Sequence, residues 1–253
     1  MDLGLAGRRA LVTGGTKGIG RAIANLFAAE GAHVAICARN AQEVSETVAA
    51  LARIAPQATG RALDVADGAA LRAWVDDTAA EFGGIDMIVS NVSALAVSRD
   101  AAAWKAGFDI DIMGSVGLVE AALPHLEKSV CASITIISSV SGREIDFAAG
   151  PYGAFKAALI HYAQGLAYQL APRQIRANSV SPGNTYFPGG VWARIEQENP
   201  DLFASALALN PTGRMAAPEE VARAVLFLAS PAASFITGTN LVVDGALTRG
   251  VQY

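Results

Sequence analysis

In the stretch GPYGAFKAALIHYAQ, Tyr152 and Lys156 stand four residues apart in a segment of helical composition, so both fall on one helix face. A phenol ordinarily titrates near ~10. A neighbouring ammonium favours the phenolate, which makes the hydroxyl a usable general acid near neutrality. Of Tyr152, Tyr162 and Tyr168, Tyr152 is the one with a lysine at +4. A chance lysine is common, and the pair gains weight from its context. A buried-strand pattern upstream ends in IISSVSG, where Ser139 can bond a substrate oxygen as its charge changes. A third position is raised by FDIDIMGS, within an apolar run that reads as one helix from Ala101 to about Leu126. Asp109 and Asp111 there are about 200° apart around a helix axis, so they cannot share one solvated face. A buried carboxylate is costly unless paired, hydrogen-bonded or protonated.

The segment TGGTKGIG, Thr13 to Gly20, follows a strand-like run and precedes a helix. Gly14, Gly18 and Gly20 permit a tight turn and let backbone approach a pyrophosphate, which free N–H groups at the helix start then hold. The spacing is neither G-x-G-x-x-G nor G-x-x-x-x-G-K-[ST], which disfavours a P-loop nucleotidase. A purely structural turn is the bland alternative. The next strand, HVAICARN, ends in Ala38-Arg39-Asn40 and lacks the acid that bonds an adenosine ribose in NAD sites. Arg39, with Lys17, fits a 2′-phosphate instead, so NADP(H) is favoured over NAD(H). Asp64, ending the third strand in LDV, is placed for an adenine amino group; capping the next helix is its alternative role.

These residues need a scaffold that brings strand ends together. Short β-rich runs at Arg9–Thr13, His33–Ala38, Thr59–Leu63, Ile85–Ser90, Ser133–Ser138, Ile175–Val180 and Leu241–Asp244 alternate with helical segments such as Lys17–Glu30, Ala41–Ile54, Gly68–Phe82 and Glu219–Leu228. That alternation argues for a parallel sheet with helices on both faces. Runs such as IVS and ITIIS are continuously apolar, as strands buried on both faces should be. The stretch from Pro182 to Pro211, rich in Pro, Gly and Asn, reads as an irregular lid.

Composition narrows the function classes. The 253 residues carry a net charge of −4, which gives no electrostatic footprint for nucleic acid or an anionic membrane. The N-terminal stretch lacks a signal-peptide pattern and no apolar run is long enough to span a bilayer. Cys37 and Cys131 form no C-x-x-C pair and read as buried structural thiols of a reduced, cytoplasmic protein. His33, His125 and His161 have no metal-ligand spacing, so no metal is expected.

Taken together, TGGTKGIG, Asp64, Ser139, YGAFK, SPG at Ser181–Gly183, NPTGRMAAPEEVA and GTNLVVDGA resemble the short-chain dehydrogenase/reductase family, in a form like the 3-oxoacyl-ACP reductases. The resemblance runs in order over nearly the whole chain. It implies one α/β domain over 1–253, a doubly wound Rossmann fold with seven parallel strands, in a homotetramer or homodimer. It implies Tyr152 as acid/base, Lys156 lowering its pKa and holding the nicotinamide ribose, and Ser139 orienting the carbonyl. Cofactor contacts are implied for Gly14, Thr16, Lys17, Gly18, Ile19, Gly20, Arg39, Asn40, Asp64, Val65, Asn91, Ser93, Pro182, Gly183 and Thr185, besides Tyr152 and Lys156. A region at about 184–212 would cover the substrate, with Phe147, Tyr186, Phe187 and Trp192 beside Ser139 and Tyr152.

Three positions depart from the family pattern. Ser90-Asn91-Val92-Ser93 stands for Asn-Asn-Ala-Gly, and Phe187 for the usual Thr after Pro-Gly. Asp111 stands for the Asn of a Ser–Tyr–Lys–Asn tetrad, whose backbone carbonyl is thought to hold a water linked to the lysine. The reading that results is an NADPH-dependent reductase of a small, hydrophobic ketone, with pro-S hydride transfer and a proton from Tyr152; oxidation of a secondary alcohol is the reverse option. A cofactor-binding protein without turnover is the alternative class, and a hydrolase lacks its G-x-S-x-G elbow. Neither Ile145–Ala149 nor Tyr186–Trp192 offers a clear carboxylate clamp, which leaves Arg143 and Arg194 as the candidates for one.

Overall fold

The computed structural model describes residues 2–251. Seven strands form one parallel sheet: β1 (Arg9–Thr13), β2 (His33–Ala38), β3 (Ala58–Ala62), β4 (Met87–Ser90), β5 (Ser133–Ile137), β6 (Arg176–Pro182) and β7 (Asn240–Val243). Their order is β3-β2-β1-β4-β5-β6-β7, so the winding reverses between β1 and β4. Ligands of open α/β sheets bind outside the strand carboxyl ends at such a reversal. The continuously apolar runs lie where both faces are covered: every residue of β4 and β5 is buried, whereas the edge strands β3 and β7 are not.

Helices close both faces. On one side lie α1 (Gly18–Ala29) and α9 (Pro218–Ala229), which pack Ile23, Phe27, Val221 and Val225 against Val12 and Val34. On the other side α3 (Gly68–Phe82), α5 (Gly114–Leu126) and α6 (Pro151–Leu170) bring Leu71, Trp74, Leu118 and Leu159 onto Leu11, Ile88 and Ile134. Between β2 and β3 runs α2 (Ala41–Leu51), capped by Asn40, whose side chain accepts Glu43 N–H.

Two expectations of local structure are corrected. Residues from Ala101 to Leu126 are not one regular helix: α4 (Ala101–Gly107) passes into a π-helical turn, Phe108–Met113, before α5. Across this turn the two aspartates still face opposite ways, as two positions apart on a helix must. Asp109 is left at the surface, where Lys105 meets it at 2.7 Å, and Asp111 is turned inward to 3% exposure. Nor is the Pro182–Pro211 region irregular. It holds α7 (Val191–Glu198) and α8 (Pro200–Ala208), which share a small core of Trp192, Ala206 and Met215. β1 and β2 have the expected bounds, and the other strands differ from expectation by one or two residues at an end. Cys37 is buried, and its thiol is pushed up to about 12 by that burial. Cys131, expected to be buried as well, is only partly covered, because it follows the exposed turn after α5. Among the described residues no helix is long and apolar enough to cross a membrane, and no cluster of His, Cys, Asp and Glu could hold a metal ion.

Candidate active site

A cleft of about 890 Å³ opens at the carboxyl ends of the strands, around the β1–β4 reversal. The glycine turn forms its floor. Gly14 and Gly18 have φ of +67° and +51°, conformations in which a side chain is strained. A Cβ on Gly20 would overlap the Gly14 carbonyl and the Asn91 side chain. Asn91 ties the turn to β4: its amide donates to the carbonyls of Thr13 and Gly14 at 3.0 and 3.3 Å. Lys17 precedes α1 without a side-chain cap, so the first N–H groups of that helix are left for a ligand. This backbone cradle, closed to any Cβ, fits a dinucleotide pyrophosphate.

At the adenosine end, Arg39 is exposed at the end of β2. Lys17 is not a free second cation. Its ammonium meets Glu43 at 2.7 Å, and Thr16 donates to the same carboxylate at 3.3 Å. Asp64 does not cap α3. Its carboxylate accepts Ala66 N–H, while Asp67 takes the capping position with bonds from Ala69 and Ala70. The Asn40 side-chain oxygen is spent on the α2 cap, and the Thr185 hydroxyl on the Gly183 carbonyl at 3.1 Å. Thr16, Lys17, Arg39, Asn40, Glu43, Asp64 and Thr185, with Ile19, Val65, Ser93 and Pro182, line the cleft.

Ser139, Tyr152 and Lys156 meet deeper in. Ser139 follows β5 and opens a 3-10 turn, Val140–Gly142, that lies directly on α6. A Cβ on Gly142 would stand 2.6 Å from the Lys156 carbonyl carbon, so a glycine is what lets the turn and the helix touch. Ser138 fixes the register, donating to the Lys156 carbonyl at 2.7 Å. Lys156 is buried; its ammonium donates to the Ile137 carbonyl at 3.1 Å and lies 5.7 Å from the Tyr152 ring centre.

Asp111 stands behind the lysine. Its Oδ1 is 3.1 Å from Lys156 Nζ, both side chains being almost fully buried. The approach lacks hydrogen-bond alignment, so Oδ1 keeps only a charge contact. Oδ2 accepts Ala94 N–H at 2.9 Å. Its backbone carbonyl accepts the Ser115 hydroxyl at 2.6 Å, and Ser90 lies 2.8 Å from that hydroxyl. Two of the family departures are therefore joined: the Ser90–Ser93 segment is tied to Asp111 through Ser115 and through Ala94.

The aromatic residues divide differently from expectation. Phe147 and Trp192 line the cleft and meet edge to face, 5.6 Å between centres. Tyr186 points away from it, since its hydroxyl donates to Glu196 at 2.6 Å and its ring packs on Phe203. Phe187 covers the glycine turn instead of the substrate end: a Cβ on Gly18 would stand 2.5 Å from its ring. Sequence reasoning missed Glu43, Ser141 and Asp146, all of which line the cleft. Glu43, three residues after the Asn cap, carried the one available signal, an acid in the first turn of α2.

A doubly wound sheet, a glycine cradle at its switch point and a serine, a tyrosine and a buried lysine in one cleft define a nucleotide-dependent oxidoreductase of the Rossmann class. Residues 14–248 match the family model described as Enoyl-(Acyl carrier protein) reductase. The chain is 41% identical, over 100% of its length and 99% of the relative's, to the isoepoxydon dehydrogenase patN of Penicillium expansum. It is 37% identical to the cis-4-hydroxycyclohexanecarboxylate dehydrogenase of Sinomonas cyclohexanicum, over 98% and 99% of the two chains. Among solved structures, a short chain dehydrogenase from Burkholderia cenocepacia in complex with NADP superposes with a TM-score of 0.85 at 32% identity, covering 96% of this chain and 99% of that one. The L-sorbose reductase of Gluconobacter frateurii, complexed with NADPH and L-sorbose, gives 0.89 at 28%, covering 99% and 100%. The chain belongs to the short-chain dehydrogenase/reductase family and is an oxidoreductase of alcohol and ketone groups.

Proposed function

We propose that this chain is an NADP(H)-dependent reductase of a ketone on a small, largely apolar skeleton. The observation that carries the reading is the meeting of Ser139, Tyr152 and buried Lys156 in the cleft whose floor is the glycine cradle. When bound, the nicotinamide supplies or takes the hydride. Tyr152 gives its hydroxyl proton to the substrate oxygen as charge develops there, and Ser139 donates a hydrogen bond to the same oxygen. Lys156, held by the Ile137 carbonyl and Asp111, sets its amino group beside the phenol ring. Arg39 supports the phosphorylated cofactor. Two relatives with bound NADP or NADPH support the same choice. Phe147 and Trp192 support an apolar substrate body, and relatives named for isoepoxydon and cis-4-hydroxycyclohexanecarboxylate make a ring compound reasonable.

The test is purified protein with NADPH and a panel of cyclic and open-chain ketones, followed at the reduced-nicotinamide absorbance. Turnover is expected for cyclic ketones. Tyr152→Phe should lose about 10²–10⁴-fold of the rate while still binding NADPH by fluorescence. A wild-type rate left intact by Tyr152→Phe would remove the tyrosine from its role. We further infer a homodimer or homotetramer in a reduced, cytoplasmic compartment. Exposed Trp104, Phe108 and Tyr168 on α4, the π turn and α6 support the assembly, and sedimentation would measure it.

A further inference from the structure

Next to Ser139, at the substrate end of the cleft, Asp146 carries a capacity that the reduction itself does not use. Ser139 Oγ donates to Ser141 Oγ at 3.3 Å, Ser141 Oγ donates to Asp146 Oδ2 at 2.6 Å, and Ser141 N–H donates back to Ser139 Oγ at 3.2 Å. The directions are forced. A carboxylate only accepts, and a serine hydroxyl has one hydrogen to give. Ser141 therefore spends its hydrogen on Asp146 and can only accept from Ser139. The 3.3 Å link is long for two hydroxyls, so Ser139 is readily redirected to a substrate carbonyl. Asp146 Oδ1 accepts Ala148 N–H at 2.8 Å, which fixes the carboxylate on its own loop. Each carboxylate oxygen has two lone-pair sites, and these contacts use one on each.

Ser139, Ser141 and Asp146 thus present a row of oxygens with spare acceptor capacity in the cleft that Tyr152, Phe147 and Trp192 also line. Among the described residues lining this end, Asp146 is the carboxylate; Glu43 and Asp64 lie at the adenosine end. A plain ketone brings an acceptor and no donor to that row. It displaces water from the Asp146 carboxylate and returns nothing. A ketone that also carries a hydroxyl returns one charge-assisted hydrogen bond.

We propose that Asp146 is a specificity-determining residue and that the substrate is a hydroxyketone, whose hydroxyl donates to Asp146 while its carbonyl faces Ser139 and Tyr152. The assignment rests on the carbonyl-reductase reading above. A site built to bond a substrate hydroxyl discriminates against the analogue without it, because its own polar group is left unpaired. Asp146 is half-buried, so the discrimination expected is about 10–100-fold in kcat/KM, well below that of a sealed site.

The experiment compares cyclohexanone with hydroxycyclohexanones bearing the hydroxyl at each ring position, with NADPH, on the wild type, Asp146→Asn and Ser141→Ala. Asp146→Asn keeps an oxygen for Ala148 N–H and puts an NH₂ donor where Oδ2 stood, so the loop is held while the Oδ2 acceptor and the charge that strengthens the bond are lost. The wild type should prefer at least one hydroxy isomer by about tenfold or more, chiefly through KM. The ratio should fall to near one in Asp146→Asn and persist in Ser141→Ala, where the carboxylate is intact. No preference in the wild type, or a preference that survives Asp146→Asn, overturns the inference and leaves the reductase reading standing. Absence of turnover with every ketone sinks the reductase reading itself. Calorimetric titration of the protein with NADP⁺ and cyclohexanediols against cyclohexanol reads the same contact without turnover. Equal affinities there overturn the inference as well.

Discussion

The interior tolerates the buried carboxyl of Asp111 because Lys156 stands 3.1 Å away. Removing one member of a buried pair leaves the other uncompensated, at a cost of about 3–5 kcal/mol. Asp111→Asn is the milder change. It keeps one oxygen, which can serve either Ala94 N–H or the ammonium but not both. It should retain activity within about tenfold, whereas Asp111→Ala loses both contacts and should fall about 100-fold, with a lower melting temperature (scaled from the pair cost). Equal steady-state rates for the three proteins would show the side chain to be idle. At this scale, what could be read from sequence was what local spacing encodes. Tyr152 and Lys156 share a helix face at i, i+4, and Ser139 ends an apolar strand. Asp146 has no such mark, because its bond to Ser141 depends on how a loop folds back between β5 and α6. The aim of Tyr186 depends likewise on Glu196, a residue on the following helix.

Elements were legible where burial dictates composition. A strand covered on both faces must be apolar throughout, and β1, β2, β4 and β5 are found where such runs occur. The π-helical turn was hidden, because one widened turn changes neither the hydrophobic period nor the composition of its helix. Within it Asp111 stands beside Lys156 and Asp109 beside Lys105. Phe187 shows the same limit in the lid. Its position after Pro182-Gly183 was readable, but its resting place against Gly18 was not. With the ring on the glycine turn, the cleft is covered where a pyrophosphate would lie. A conformation that must first open lowers apparent affinity by the fraction already open. Phe187→Thr is therefore expected to bind NADPH about three- to tenfold more tightly (an open fraction of roughly a third to a tenth), measured by fluorescence titration. Weaker binding would mean that the ring contributes to holding the cofactor.

Over the whole molecule, chemistry and anchoring occupy opposite ends of the sheet. The carboxyl ends carry the cleft, and the amino ends are clamped by charge. Asp86, just before β4, is 1% exposed and takes two bonds from the Arg9 guanidinium at 2.8 Å, one from Arg9 N–H at 2.9 Å and one from Ser129 at 2.5 Å. Burial pushes its carboxyl up, but the donors from Arg9 and Ser129 together outweigh that and hold it below its ordinary value. The ionised form is therefore favoured by the folded state. Its contribution to stability is complete above the unfolded value of ~3.9 and is lost as pH falls through the lower, folded value. Asp86→Asn leaves Arg9 without its partner and should cost about 3 kcal/mol at pH 7, at the lower end of the range for breaking a buried pair. In acid the wild type loses the same interaction by protonation, so the two proteins should converge. Urea unfolding at neutral pH and again near pH 3 measures this directly. A gap that stays constant between the two would place the cost in lost packing and not in the Arg9–Asp86 charge pair.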